Sequence, residues 1–151
     1  MGRVVALCLI GMGIAGLAYA QGVAGVLQGF GLIGTWAPDC SQPASSDNIQ
    51  SIYSLSGAEA ILTHDGGATA RKDSYAVRTA KLVGTDSLLI QVRSRDMPPE
   101  MAAEAELSIT LRKVGSKVQI WKQTAPGGIV LTEDGKIPAT GTATLPMAHC
   151  R

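Results

Sequence analysis

The sequence predicts an all-β protein, an antiparallel meander of about eight strands. From Leu32 onward, short apolar or alternating runs are separated by turn residues, and the chain contains 18 glycines. The alternation is clearest where Leu107, Ile109 and Leu111 share one face and polar residues occupy the other. Tight turns such as Asp134-Gly135 supply the positive φ that hairpins require. Short strands with short turns favour a meander over a parallel sheet.

The predicted strands follow the chain in order, each ending at a glycine, proline or polar turn. One strand changes face within its length: Tyr75 and Val77 share one side, whereas Ala80 and Leu82 share the other. A bulge near Thr79 would reconcile the two halves. The predicted segments are Leu32 to Ala37, Ile49 to Ser56, Ala58 to His64, Ser74 to Val83, Ser87 to Ser94, Ala105 to Val114, Lys117 to Thr124, Ile129 to Glu133 and Lys136 to Pro138.

One segment, residues 98–105, has helical character. Pro99 suits a first helical turn, and the residues from Glu100 to Glu104 are good helix formers. The two glutamates, four residues apart, could share a cation, but two carboxylates without backbone ligands bind calcium poorly. We therefore predict a short helical turn with a solvated face.

The N-terminus, residues 1–20, is typical of a signal peptide. Arg3 precedes an apolar run from Val4 to Leu17, and Ala18-Tyr19-Ala20 gives the small-x-small pattern before Gln21. The predicted location is periplasmic or secreted.

The alternative is a retained anchor from Val4 to Gly34. Its dense apolar block has only the length of a signal peptide, and the segment 21–31 is rich in glycine. Cys8 leaves with the signal peptide in the favoured interpretation. Residues 32–151 then form a single domain without a stable membrane span.

Cys40 and Cys150 are the two cysteines outside the signal-like segment. An even pair in an oxidising compartment predicts one disulfide that closes nearly the whole domain. The alternatives are a reactive thiol, or metal binding by Cys150 with the adjacent His149. The spacing of the cysteines and histidines matches neither a catalytic thiol nor a metal site. No metal ion and no cofactor are expected.

Charge excludes some partners. The chain has 13 basic and 12 acidic residues, and loss of Arg3 with the signal peptide leaves the two in balance. Without a basic excess, binding to nucleic acid is disfavoured.

Gly34-Thr35-Trp36 opening the first strand of a meander resembles the lipocalin-like (calycin) barrels of secreted proteins. The layout, with a cysteine soon after the tryptophan, a strand around Trp121 and a terminal Cys-Arg, resembles small uncharacterised bacterial periplasmic proteins of that type. The resemblance implies a small closed barrel with Trp36 across one end and Arg151 packed on the Trp36 ring. It carries over no ligand-contacting residue.

Four residues are candidates for a site. The Trp36 ring either fills part of the hydrophobic core or contacts a ligand, and the core position is favoured. Trp121 lies on the polar face of its strand. There it either covers the aliphatic parts of long Lys and Gln side chains or forms the bottom of a polar cavity, and the first is favoured. His64-Asp65 could orient an imidazole, but with no nucleophile motif nearby we interpret it as an exposed histidine beside a turn-capping aspartate.

The sequence predicts no catalytic residue, and we expect a protein that is not an enzyme. The favoured hypothesis is an exported binding module for a small apolar ligand or an envelope protein. A second is an interaction or enzyme-inhibitor barrel that offers the loops 95–104 or 38–48 to a partner. A hydrolase is the third and least favoured, because the sequence shows no matched base and nucleophile.

Overall fold

The computed structural model describes residues 22–70, 72–98, 100–101 and 106–151, which contain one α-helix and nine β-strands. The predicted signal peptide lies outside these residues. A 3-10 turn, Pro126–Gly128, precedes the eighth strand. The elements are α1 Val23–Phe30, β1 Gly34–Ala37, β2 Gln50–Ser56, β3 Glu59–Asp65, β4 Asp73–Leu82, β5 Ser87–Ser94, β6 Glu106–Val114, β7 Lys117–Ala125, β8 Ile129–Thr132 and β9 Ala148–Cys150.

The strands form one antiparallel sheet in the order β8-β7-β6-β5-β4-β3-β2-β1-β9, so the predicted meander is confirmed. Only β9 departs from sequence order, because it returns to pair with β1. The bulge predicted near Thr79 is also confirmed by a register shift between Val77 and Thr79. Two further register shifts occur, one between β6 and β7 after Thr110 and one between β7 and β8 after Gln123.

The sheet is not the closed barrel that the sequence analysis expects, since β8 and β9 end the strand order without pairing with each other. The reason lies in β7. Its C-terminal half pairs with the short β8, whereas its N-terminal half meets the segment before β9 at a single bridge, Val118 with Met147. The two backbone hydrogen bonds of this bridge measure 2.9 and 2.7 Å. A single bridge, not a ladder, therefore spans the gap between β7 and β9.

Two predicted elements are changed in the structure. The strand predicted at 136–138 is absent, because Lys136 forms only isolated bridges, with Glu133 and with Ala143. At the predicted helical turn, residues 100–101 are in a 3-10 conformation, and the N–H of Met101 donates to the carbonyl of Pro98 at 3.0 Å. Pro99 and residues 102–105 lie outside the described residues.

The helix α1 lies within the glycine-rich segment, where no element was predicted. Its apolar residues recur at helical spacing, and Leu27 and Phe30 are buried against the sheet, mainly against β4. Gly31 ends the helix in the left-handed conformation, with φ of 78°, and its N–H donates to the carbonyl of Gln28. The helix thereby covers one end of the sheet.

The hydrophobic core lies beneath α1. Leu88, Ile90, Ile109 and Leu111, from the central strands β5 and β6, are almost completely inaccessible to solvent. The sheet interior at this end is filled by side chains. Within the described residues, no helix has the length and apolar character to cross a membrane.

Candidate functional site

A cleft of about 630 Å³ opens at the end of the sheet away from α1. It lies between the loop after β1 and the segment that leads into β9. Most of its lining is apolar, and three apolar side chains at its rim are partly exposed: Ile49, Ile137 and Leu145, at 46%, 38% and 62%. A concave, mainly apolar surface with a few polar groups is the usual form of a small-molecule site.

Strand register brings polar side chains to one wall of this cleft. Ser51 on β2 lies directly opposite His64 on β3, and His64 lies opposite Asp73 on β4. Residues directly opposite in an antiparallel pair point to the same face, with Cβ atoms about 5 Å apart. Ser51 and His64 both line the cleft. Sequence analysis missed Ser51 and Asp73, because neither is near His64 along the chain.

The His64 ring is held in an environment of low polarity. Burial is the main cause that lowers its pKa from the ordinary value, and the negative charge of Asp73 partly opposes this shift. The ring of Tyr75 lies 5.5 Å away, centroid to centroid. An imidazole that stays neutral at pH 7 offers one hydrogen-bond donor and one acceptor.

Asp65, which the sequence analysis considered beside His64, faces a different set of partners. Its carboxylate forms an ion pair with Lys72 at 2.7 Å and accepts a hydrogen bond from the N–H of Gly67 at 3.0 Å. Both interactions, with Lys72 the larger, lower the pKa of Asp65. Adjacent strand residues point to opposite faces, so the acid that faces His64 is Asp73.

The loop between β1 and β2 is fixed by Asn48, which is 6% exposed. Its side-chain amide donates to the carbonyls of Asp39, Gln42 and Pro43 at 2.9 to 3.2 Å, and its carbonyl oxygen accepts from the Asp39 N–H at 3.0 Å. Pro38 and Asp47, at the ends of this loop, line the cleft. One buried amide thus shapes one side of the cleft.

The disulfide between Cys40 and Cys150 is present and confirms the prediction. The Cα atoms are 5.2 Å apart and the cysteines are separated by 110 positions. It joins the loop after β1, whose first residue Pro38 lines the cleft, to the last residue of β9, which pairs with β1. The bond therefore supports the strand pairing that bounds the cleft.

Trp36 is buried at 6% exposure, and its indole N–H donates to the carbonyl of Leu32 at 2.8 Å. The imidazole of His149 lies 4.9 Å from the Trp36 ring, in a tilted arrangement. Arg151, for which the resemblance implies this contact, is exposed at the end of the chain. The structure thus places His149 at the position where Arg151 was expected.

Trp121 is half-buried on β7 and does not line the cleft. The guanidinium of Arg112 lies 4.5 Å from its ring centroid. A Cβ at Gly135, in the loop after β8, would lie 3.2 Å from the Trp121 ring, and the Gly135 N–H donates to the Trp121 carbonyl. The tryptophan anchors this loop on the face of the sheet that bears Arg112.

Within the described part of the chain, no three or more His, Cys, Asp or Glu residues are grouped in a way that could hold a metal ion. Glu104, one of the two glutamates considered for a shared cation, lies outside that part.

Comparison with protein-family models, with curated proteins and with solved structures gave no match to this chain.

Proposed function

We propose that the protein is an exported binding module whose cleft takes a small apolar molecule. The observation that carries this proposal is the cleft of about 630 Å³, with its apolar lining and partly exposed apolar rim. A volume in this range suits a ligand of modest size. The packed core beneath α1 provides a rigid base, which limits the ordering entropy lost on binding.

Export is supported by two independent features. The N-terminal pattern is that of a signal peptide, and the disulfide is of a kind that forms in oxidising compartments. A periplasmic or secreted location, and a relationship to lipocalin-like proteins, belong to this proposal.

A neutral fluorescent probe, N-phenyl-1-naphthylamine, tests the proposal. Titration into the purified protein should raise the fluorescence and shift its emission to the blue as the probe enters the cleft. Leu145→Glu places a charge at the rim and should weaken binding at least about tenfold, because the carboxylate must be desolvated beside the probe.

Leu82→Glu is the matched control. Leu82 is 54% exposed, close to the 62% of Leu145, but it lies at the end of β4 away from the cleft. This variant should bind the probe as the unmodified protein does. Absence of saturable binding, or equal weakening by both variants, would contradict the proposed site.

The alternative is a protein partner that docks on the loop between β1 and β2. The hydrogen bonds of Asn48 favour it, since a loop held in one conformation loses little entropy on docking. A photocrosslinking residue at exposed Ser46, on this loop, would test it in intact cells. A discrete adduct there, with none from the same residue at exposed Thr85, would favour the alternative.

A further inference from the structure

The cleft has a polar inner wall with unused hydrogen-bonding capacity. Ser51 is 4% exposed and faces His64 across the β2–β3 ladder. Within the described residues, neither the Ser51 hydroxyl nor the His64 ring forms a side-chain hydrogen bond. Thr144, a third polar lining residue, is already engaged, because its hydroxyl donates to the Ile120 carbonyl at 2.8 Å. Ser51 and His64 are the inner polar groups left for a ligand.

The charges around this wall disfavour an anionic ligand head. Besides His64, the one ionisable side chain among the described lining residues is Asp47, and these residues include no lysine or arginine. Asp73 adds negative charge on the far side of His64. A carboxylate seated here would be desolvated without a cation to pair with it.

A hydroxyl head fits the same wall. It both donates and accepts, which matches a serine hydroxyl and a neutral imidazole. An ammonium head would have to lose its hydration at the inner wall, where the hydroxyl of Ser51 and the neutral ring of His64 carry no charge to pair with it. The wall therefore favours an uncharged head over either ion.

We propose that the cleft selects a single-chain amphiphile with an uncharged hydroxyl head, which hydrogen-bonds to Ser51 and His64, over the carboxylate of the same chain length. The apolar tail lies along the lining towards Ile137 and Leu145. This inference rests on the proposed function and adds to it the chemical class of the ligand.

Three eight-carbon probes that differ only in the head group test the inference: 1-octanol, octanoate and octylammonium. Each is used at pH 7.5 to displace N-phenyl-1-naphthylamine from the folded, disulfide-bonded protein. We expect 1-octanol to displace the probe, and octanoate and octylammonium to bind at least about tenfold more weakly. Octanoate within threefold of 1-octanol, or octylammonium tighter than 1-octanol, would overturn the inference.

Variants assign the preference to the two residues. Ser51→Ala and His64→Phe should each weaken 1-octanol several-fold and reduce its advantage over octanoate. His64→Phe keeps an aromatic ring beside Tyr75. Ser54→Ala is the control, because Ser54 is on the same strand three positions along and points to the opposite face. It should leave all three affinities unchanged, and equal losses in Ser54→Ala and Ser51→Ala would contradict the assignment.

A surface variant keeps the test decisive even if changes at the inner wall disturb folding. Asp47→Lys, on an exposed part of the loop, should raise the affinity for octanoate several-fold and leave that for 1-octanol unchanged. Unchanged octanoate binding would count against the charge argument. If N-phenyl-1-naphthylamine itself fails to bind, the proposed function fails; if it binds but octanoate displaces it best, only the inference fails.

Discussion

The imidazole of His149 occupies the space that a side chain at Gly34 would fill. A Cβ at Gly34 would overlap Nε2 of that ring, and Gly34 has a φ of 129°, which residues with side chains rarely adopt. The same ring lies against Trp36, two residues along β1. The glycine and tryptophan of the Gly34-Thr35-Trp36 motif are therefore both explained by one histidine on β9.

Gly34→Ala should lower the free energy of unfolding by about 1–3 kcal/mol, because it combines backbone strain with displacement of His149. Urea unfolding followed by tryptophan fluorescence measures the loss. Adding His149→Ala should recover only part of it, since the φ of Gly34 is unchanged. Gly29→Ala in α1, where a Cβ meets nothing within 4 Å, should be neutral or stabilising. Equal stability of Gly34→Ala and the unmodified protein would refute this explanation.

The double variant Cys40→Ser/Cys150→Ser should lower the free energy of unfolding by about 2–4 kcal/mol, because the bond closes a loop of 110 positions. β9 should become the least protected strand, since its pairing with β1 extends over three residue pairs and the bridge at Met147 is the next backbone link along the chain. Hydrogen exchange read by mass spectrometry measures both effects. Protection of β9 that matches that of β5 in the double variant would contradict this view.

Protonation of His64 should destabilise the fold as the pH falls below about 6.5. Its pKa in the folded protein is lowered by burial, so the unfolded chain binds the proton more readily. The stabilisation is complete above the unfolded value, near 6.5, and is lost as the pH falls through the folded pKa. The carboxyls of Asp39 and Asp65 affect stability at lower pH than His64 does. Hydrogen bonds from Ser41 lower the pKa of Asp39, and Lys72 together with the N–H of Gly67 lowers the pKa of Asp65.

Urea midpoints at a series of pH values measure this dependence. In His64→Gln the slope that begins below about pH 6.5 should largely disappear, whereas His149→Gln, at the exposed histidine, should keep it. Two-dimensional NMR of the His64 ring would give the folded pKa directly. If the slope disappears in His149→Gln and persists in His64→Gln, His64 is not the cause of the pH dependence and the prediction is contradicted.

Asn48→Asp should destabilise the loop between β1 and β2, although the two side chains have nearly the same shape. A carboxylate cannot donate to the carbonyls of Asp39, Gln42 and Pro43, and a buried charge without a partner is unfavourable. We expect a loss of about 2–3 kcal/mol in the free energy of unfolding and weaker probe binding. Asn48→Asp should become less destabilising as the pH falls below 5, and the absence of this recovery would contradict the account.

Alternation and turn residues were sufficient to predict most of the sheet. The bulge near Thr79 followed from a change of face within one strand, and the disulfide followed from an even pair of cysteines. The prediction of a strand at 136–138 was wrong, because alternation over three residues does not show whether a partner strand is available. The sheet stayed open because β8 and the segment before β9 share one edge of β7.

The helix α1 was missed for a physical reason. Its glycines lower the intrinsic preference for helix, and tertiary burial of Leu27 and Phe30 overrides that preference. The apolar spacing from Val23 to Phe30 was the available signal. It was obscured by the apolar run that precedes it.

The polar wall of the cleft depends on register, which composition does not give. The two-residue turn at Gly57-Ala58 pairs Ser56 with Glu59 and thereby places Ser51 opposite His64. The position of this turn in the sequence was therefore sufficient to predict that Ser51 and His64 are paired. The longer connection between β3 and β4 gives no such rule for Asp73. Trp36 likewise meets His149 only through pairing of β1 with β9.

The pairing of β1 with β9 has a consequence for biogenesis. Because the chain is synthesised from its N-terminus, Thr35 is released long before its pairing partner, Cys150. Until the final strand arrives, one edge of β1 offers its N–H and C=O groups to any other extended segment nearby. The sheet is completed only once β9 has been released, so mis-pairing along this edge is most dangerous before that point.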